Sequence, residues 1–550
     1  MNWKKPFGVS WLPLFLGLIF FSASLTPSLI PRGWLMQGLL GGVVAAIGYM
    51  IGRLLLSLWR QMELPKLRGS AFVAGHVLVA IPVMVIVVLA LSEAGNWQNE
   101  IRARMELEPL AAFRTVQMVY VALGVFVALM VLGWLVKMLF DRTRRWLYRF
   151  MPERTANVAG LLIVALLLFV VTRDGIVDRM IGFFDETYTV AQRLFDTDEP
   201  RPTDPMRSGS AESLIGWDAM GQPGRNFING GPGADAIAAF SGEDALDPLR
   251  VYVGLANAET AQARSDMALA ELQRIGAFDR KILIVAMPTG TGWLDPGSFD
   301  VLEYMQDGDI ATVAVQYSYL QSPLALILET NAGLEQARSL ISTVHEYWRG
   351  LPEDDRPRIY IHGLSLGAWA SMYGTDLEAL LDDPIDGALW AGPPFPSARW
   401  NEAMAARNPG SPYVAPDVGK GRLFRFASHT KPAGGPDGWG DMRLMFLQYS
   451  SDPIVFYEPA SLFRPPAWMT EPPAEDVSPD LRFMPVVTQF QLALDMAFSL
   501  AAPAGHGHSY YAHDYIGAWE AVTAPEGWTA EDTERLKQVC NNGLQQGCDR

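Results

Sequence analysis

The chain has 550 residues, which is too many for one ordinary domain, and its formal net charge is −16. That acidic balance argues against a nucleic acid as the partner. The mean hydropathy is nevertheless positive, at +0.12, and this combination predicts a membrane part joined to a soluble acidic part.

Five apolar segments dominate the first 172 residues. Four of them reach the roughly 20 residues that a helix needs to cross a bilayer, and the last is shorter. They cover residues 11–30, 34–58, 71–91, 116–140 and 158–171. We therefore predict a membrane domain over residues 1–172 with about five transmembrane helices, the first being an uncleaved helix rather than a signal peptide. An interfacial or buried helix is the alternative for the fifth segment.

Basic residues in the loops predict the orientation of this domain. Lysine and arginine are concentrated after the second and fourth segments, whereas the loop after the first contains only Arg32. By the positive-inside rule, the N-terminus and the basic loops lie in the cytoplasm, and five crossings place everything after residue 171 outside. Few ionisable groups lie deep within the segments, which argues against the alternative of a transporter with an ion path.

Residues 173–213 connect the membrane domain to the rest of the chain. Residues 174–194 have an amphipathic pattern, which predicts a helix at the outer membrane–water interface or against the soluble domain. Residues 197–213 are rich in proline, serine, aspartate and glycine and are typical of a linker. The next stretch, residues 216–232, is rich in glycine and is predicted to be irregular.

From residue 250 onwards, apolar strands alternate with helices. The predicted strands are residues 251–255, 281–287, 311–317, 358–361, 385–390 and 444–449, and the predicted helices are 261–275, 332–348 and 515–522. This alternation predicts an α/β domain over residues 214–550, with a mostly parallel sheet covered by helices on both faces. Ligand sites in such domains lie at the carboxyl ends of the strands.

A G-x-S-x-G pattern occupies residues 363–367 and has Ser365 at its centre. An apolar strand precedes the pattern, and small residues typical of a helix follow it. In that setting the pattern predicts a sharp turn that exposes the serine hydroxyl at the carboxyl end of the sheet. A structural turn of glycine and serine is the alternative. We predict that Ser365 is a nucleophile.

A serine becomes nucleophilic when a histidine takes its proton and an acid orients that histidine. Asp452 follows the last predicted strand and is the expected acid, with a structural Asp-Pro turn as the alternative. A Gly-His-Gly-His loop offers His508 as the first choice of base and His506 as the second. The chain order Ser, Asp, His is that of α/β-hydrolases. A metal site on the histidines is the rival interpretation, but no matching cluster of ligands accompanies them, so we predict no metal and no cofactor.

His362 immediately precedes the G-x-S-x-G turn. We predict that it is a buried, hydrogen-bonded strand residue beneath the nucleophile. A second general base is the alternative for this histidine.

An oxyanion intermediate needs backbone N–H donors. One is expected from Leu366, which follows the nucleophile. The other is expected from the loop after an earlier strand, at Thr289, Gly290 and Thr291, where the threonine hydroxyls offer a further donor. No Lys-Ser/Thr pair follows this loop, which argues against a phosphate-binding function.

The only cysteines, Cys540 and Cys548, lie in the C-terminal tail and exclude a disulfide-rich scaffold. Asparagine and glycine between them favour a tight loop. Because the tail is expected outside the cytoplasm, we predict a disulfide, with two unpaired thiols as the alternative.

The chain resembles a bacterial family of membrane-anchored α/β-hydrolases, in which a multi-helix membrane domain precedes an α/β-hydrolase catalytic domain. The resemblance covers nearly the whole chain. It is carried by residues 22–32, 289–296, 363–367, 451–453 and 507–510. It implies an α/β-hydrolase fold and serine hydrolysis, leaves the substrate open, and favours His508 over His506 as the base.

These features predict a multi-pass serine hydrolase of the bacterial cytoplasmic membrane, with its catalytic domain on the periplasmic or outer face. A site tethered at the bilayer favours an esterase or lipase that acts on membrane-lipid or envelope esters. The alternatives are an acyltransferase or peptidase using the same triad, and a non-catalytic membrane scaffold with a degenerate hydrolase fold. The expected partners are the lipid bilayer and the ester substrate; no oligomeric state is predicted.

Overall fold

The computed structural model of the chain describes residues 10–65, 69–170, 199–319, 330–375, 383–434, 437–541 and 547–549. The amphipathic segment predicted at 174–194 lies outside the described residues. The chain divides into two compact units. The first comprises Met1–Phe183 and Glu458–Asp495, and the second comprises Phe184–Tyr457 and Met496–Arg550. A segment from the C-terminal half of the sequence is therefore part of the first unit.

The described chain contains α-helices throughout and strands in the second unit. In chain order the helices are α1 (Trp11–Ser24), α2 (Trp34–Gln61), α3 (Gly69–Arg104), α4 (Thr115–Leu147), α5 (Glu153–Val170), α6 (Trp217–Asn229), α7 (Ala234–Ser241), α8 (Ala261–Arg274), α9 (Pro296–Met305), α10 (Thr330–Arg349), α11 (Leu366–Gly374), α12 (Ala398–Ala405), α13 (Pro453–Phe456), α14 (Val487–Ala497), α15 (Ala512–Thr523) and α16 (Ala530–Val539). The strands are β1 (Leu249–Val253), β2 (Ile282–Met287), β3 (Ile310–Val315), β4 (Arg358–Leu364), β5 (Gly387–Ala391), β6 (Phe424–Ala427) and β7 (Arg443–Leu447).

Apolar helices form the N-terminal part of the first unit. Within the described residues, α2, α3 and α4 are long and apolar enough to cross a membrane, and α1 is a shorter apolar helix. Many of their large side chains are exposed, as expected of helices that face lipid. A buried cluster that includes Phe21, Leu25, Ala94 and Met118 packs the helices against one another. These helices indicate membrane association.

The segment Glu458–Asp495 completes the first unit by packing on these helices. Val487, at the start of α14, is buried in a cluster with Leu40 and Val44 of α2. At the other end of α14, one carboxylate oxygen of Asp495 lies 3.2 Å from Nε of Arg32, and the two side chains are 0 % and 3 % exposed. A buried ion pair is costly to break on one side only, so this contact fixes the segment to the turn between α1 and α2.

The second unit is built on a seven-stranded sheet in the order β1-β3-β2-β4-β5-β7-β6. All the described pairings are parallel. Its strands are almost fully buried, as parallel sheets covered by helices require. The α/β fold predicted from alternating strands and helices is therefore confirmed. β4 lies in the middle of the sheet, so the residue that follows it stands at the centre of the carboxyl edge.

Three elements differ from expectation. The glycine-rich stretch at 216–232 is mostly helical, because α6 continues across a kink at Gly221, where φ is 77°, and Pro223. The short edge strand β6 precedes the last predicted strand and was not predicted. A further helix, α16, follows the helix that was expected to be the last, and its N-terminus is capped by Thr529 and Asp532.

Candidate active site

Ser365 lies in the sharp turn that joins β4 to α11. Its φ and ψ angles are 58° and −125°, a combination that few residues other than glycine adopt. The Ser365 N–H donates a hydrogen bond of 2.9 Å to the carbonyl of Ala391 at the end of β5. A single strained residue is held in this way at the carboxyl edge of the sheet, which is the geometry that the sequence pattern predicts.

The two glycines of the turn permit close contact between strand and helix. A Cβ at Gly363 would lie 2.3 Å from the carbonyl carbon of Gly367. A Cβ at Gly367 would lie 2.1 Å from the carbonyl oxygen of Met287, the last residue of β2. Neither distance is compatible with a side chain. The start of α11 is therefore packed directly against the end of β2, from which the predicted oxyanion loop leads.

Asp452 and His508 are joined by a buried hydrogen bond. Asp452 is 0 % exposed and caps the short helix α13, where its Oδ1 accepts the N–H of Ile454 at 2.8 Å. Its Oδ2 lies 2.7 Å from Nδ1 of His508. With Nδ1–H donating to the carboxylate, Nε2 is left as the proton acceptor. Within the described residues, this buried Nε2 has no hydrogen-bond partner.

The backbone around Gly392 relates His508 to Ser365. A Cβ at Gly392 would lie 2.7 Å from Cε1 of His508, and Cε1 is bonded to Nε2. Gly392 follows Ala391, the residue whose carbonyl holds the Ser365 N–H. The Cε1–Nε2 edge of the His508 ring therefore lies beside the backbone that accepts the hydrogen bond from Ser365.

Two hydrogen bonds donated by main-chain N–H groups hold the loop that carries His508. The His508 N–H donates to the carbonyl of Ser499 at 3.1 Å, and the Gly507 N–H donates to Oγ of Ser451 at 2.9 Å. Because Ser451 precedes Asp452, the second bond ties the loop that carries His508 to the turn that carries Asp452.

The predicted oxyanion loop forms a tight turn after β2. Both the N–H and the hydroxyl of Thr289 donate to the carbonyl of Trp293, at 3.0 and 3.2 Å. In the part of the chain that the structure describes, the N–H groups of Gly290, Thr291 and Leu366 donate no hydrogen bond. These three N–H groups are therefore available to a ligand such as an oxyanion, whereas the N–H and the hydroxyl of Thr289 are already engaged.

The alternative base, His506, is placed elsewhere. Its ring lies 5.0 Å from the ring of His429, centroid to centroid. His513, on α15, places Nε2 2.8 Å from the carbonyl of Lys537. The residues of the loop did not separate His506 from His508, whereas the family resemblance favoured His508, and it is His508 that the structure brings to the carboxylate of Asp452.

His362 lies on β4 beneath the nucleophile turn and is completely enclosed. Its Nδ1 lies 2.7 Å from the carbonyl of Leu389, and its Nε2 lies 2.8 Å from the hydroxyl of Ser298. Burial lowers the pKa of His362 to about 4, although the bond to Leu389 opposes the shift. The ring is therefore neutral near pH 7, and both of its nitrogens are engaged in structural hydrogen bonds.

Sequence reasoning missed one side chain that contacts the candidate site. The buried Tyr510 hydroxyl donates a 3.0 Å hydrogen bond to Oδ2 of Asp452, the same oxygen that binds His508. The available signal was its position two residues after the base.

The tail cysteines form a disulfide. Cys540 and Cys548 are joined across a short loop, and both are buried. The N–H of Cys548 donates to a carboxylate oxygen of Asp300 on α9. The disulfide is therefore attached, through Cys548, to the helix that follows the predicted oxyanion turn.

Two family models match the chain. The model described as "Alpha/beta-hydrolase family" matches residues 249–536. The model described as "Alpha/beta-hydrolase family N-terminus" matches residues 25–232. No curated protein and no solved structure matches the chain. The two matches confirm the resemblance drawn from the sequence motifs and agree with the parallel sheet of the second unit.

Proposed function

The chain belongs to the alpha/beta-hydrolase family, and from that premise we propose that it is a membrane-tethered serine hydrolase that cleaves carboxylic esters. The observation that carries this proposal is the buried His508–Asp452 pair beside the strained turn of Ser365. The pair supplies a base whose Nε2 is open, and the turn supplies a hydroxyl at the carboxyl edge of the sheet.

The proposed reaction begins with attack of Ser365 Oγ on the ester carbonyl carbon. His508 Nε2 takes the hydroxyl proton, and Asp452 stabilises the imidazolium that forms. The N–H groups of Leu366 and of the Gly290–Thr291 turn bind the oxyanion. Collapse of the intermediate returns the proton from His508 to the leaving alcohol and gives an acyl-serine. A water molecule, deprotonated by the same imidazole, then attacks the acyl carbon. The bond from that carbon to Ser365 Oγ breaks, the imidazolium returns the proton to Oγ, and the carboxylic acid leaves.

We also propose that the ester is borne by a membrane lipid or an envelope polymer outside the cytoplasm. The long apolar helices α2, α3 and α4 support a bilayer location. The basic loops after the second and fourth apolar segments and the disulfide Cys540–Cys548 support an extracytoplasmic tail. The bilayer and the ester are then the two partners of the protein.

A fluorophosphonate probe tests the nucleophile, because it reacts with activated serines. The full chain in membranes is expected to be labelled, and Ser365→Ala is expected to abolish both labelling and hydrolysis of a p-nitrophenyl ester. Ser371→Ala is the matched control, because Ser371 lies on α11 and its hydroxyl bonds only the carbonyl of Ala368. Labelling that persists in Ser365→Ala would disprove the assignment.

A second assay tests the substrate class. The full-length protein is given esters of matched acyl length, either in lipids within mixed micelles or in water-soluble alcohols. Faster release of fatty acid from the lipids is expected, with acid and alcohol formed in equal amounts. Exclusive cleavage of the soluble esters would refute the lipid proposal, and a shortfall of free acid would identify acyl transfer.

A further inference from the structure

Asp452 accepts two hydrogen bonds besides the one from His508. Its Oδ1 accepts the Ile454 N–H, and its Oδ2 accepts both His508 Nδ1–H, at 2.7 Å, and the Tyr510 hydroxyl, at 3.0 Å. A carboxylate oxygen that shares its charge between two donors is a weaker base toward each of them. Tyr510 therefore competes with His508 for the electron density of Oδ2.

We propose that Tyr510 is a positioning residue, which sets the basicity of the Asp452–His508 pair and fixes the Asp452 carboxylate in the plane of the imidazole. This inference rests on the proposed function. It goes beyond the triad because Tyr510 acts on the reaction only through Asp452.

The surroundings of Tyr510 hold its hydroxyl in place. Its ring stacks on the ring of Tyr449, with centroids 4.4 Å apart and an interplanar angle of 15°. The hydroxyl of Tyr449 in turn donates a 2.5 Å hydrogen bond to Asp514 Oδ2. On its other side, Tyr510 meets the His508 ring edge to face, with centroids 5.6 Å apart. Two neighbouring rings thus restrict its rotation, and the hydroxyl can reach Asp452 without reorganisation.

The Tyr510 hydroxyl keeps its proton, and stays a hydrogen-bond donor, across the pH range in which an esterase works. Burial, followed by the charge of Asp452, raises the pKa of Tyr510 well above its usual range. Burial likewise raises the pKa of Tyr449 and of Tyr515. Other charged groups act on this stack as well: Asp295 on Tyr515, and Asp514, on α15, on both Tyr449 and Tyr515. The imidazoles of His429, His506 and His513 act in turn on Asp514.

Tyr510→Phe tests the proposal, because it keeps the ring and its stacking and removes only the hydroxyl. Without that donor, the charge on Oδ2 of Asp452 is shared with His508 alone and holds the imidazolium more strongly. The acid limb of kcat/KM against pH is then expected to move upward by about half to one pH unit. Near neutral pH, kcat is expected to fall about tenfold, with little change in KM, because the Asp452 carboxylate is no longer fixed in the plane of the imidazole.

Tyr449→Phe is the matched control. It removes a second buried hydroxyl of the same stack, one that bonds Asp514 and not Asp452. Its acid limb is expected to coincide with that of the wild type. Thermal unfolding of both variants reports whether the stack itself is preserved.

Two results would overturn the inference. One is an acid limb that does not move in Tyr510→Phe, whatever happens to the rate, because a purely structural role lowers activity at all pH values alike. The other is an equal shift in Tyr449→Phe, which would trace the effect to loosening of the stack. The proposed function fails separately, through probe labelling that survives Ser365→Ala.

Discussion

Gly392→Ala is expected to impair the proposed reaction, because an added Cβ would press on the His508 ring. The φ of Gly392 is +52°, and a Cβ there would lie 2.6 Å from a ring carbon of Tyr510 and 2.7 Å from Cε1 of His508. Carbon atoms in contact are normally about 3.5–4.0 Å apart. Gly392→Ala must therefore displace one ring or both by about 1 Å.

The expected loss of stability in Gly392→Ala has two parts. Left-handed backbone costs a non-glycine residue about 1–2 kcal/mol, and overpacking of a filled site costs about 1–3 kcal/mol more. Gly419→Ala isolates the first part, because its φ is +55° and no atom lies within 4 Å of the added Cβ. A displacement of about 1 Å at a catalytic group costs roughly 100-fold in rate, and this loss is expected in Gly392→Ala alone.

The assay is kcat/KM of the full chain in detergent with a p-nitrophenyl ester, together with thermal unfolding. Gly419→Ala is expected to keep its activity and lose about 1–2 kcal/mol of stability. Gly392→Ala is expected to lose more stability and about 100-fold of its kcat/KM. Equal activity of the two variants would refute the placement of His508 beside Gly392.

Three further predictions concern stability. Burial raises the pKa of Asp295 to about 7. The stability contributed by the protonated carboxyl is therefore complete below about pH 4, is lost as the pH rises through about 7, and amounts to at most about 4 kcal/mol. Asp295→Asn should flatten the pH dependence of Tm. Arg32→Gln leaves the buried Asp495 carboxylate unpaired and should cost about 3–5 kcal/mol in chemical denaturation, part of which Asp495→Asn restores. Replacing Cys540 and Cys548 by serine should cost about 2–3 kcal/mol, and a reductant should lower the Tm of the wild type but not of this variant.

The sheet and the nucleophile turn were accessible from the sequence because they follow local rules. Apolar runs bounded by turn residues predict buried strands, and glycine on both sides of Ser365 predicts a turn that only glycine permits. The edge strand β6 was missed because its four residues, at the border of an irregular stretch, show no clear pattern. α6 was missed because Gly221 and Pro223, which normally end helices, lie within it.

Contacts between residues distant in sequence were not accessible in the same way. The choice of His508 over His506 depends on which ring reaches Asp452, and the two histidines stand in nearly the same sequence setting. Tyr510 is one tyrosine among 17, and only the folded chain shows its hydroxyl on the carboxylate. The pairing of Arg32 with Asp495 joins residues separated by most of the chain.

The membership of Glu458–Asp495 in the first unit governs how the protein can be made and divided. During synthesis the N-terminal helices emerge first, yet the last piece of their unit follows only after every strand of the sheet has been translated. Removing the N-terminal helices would leave Val487 and Asp495 without their buried partners. A fragment restricted to the second unit therefore needs two changes, a new N-terminus before α6 and a direct connection between Tyr457 and Met496.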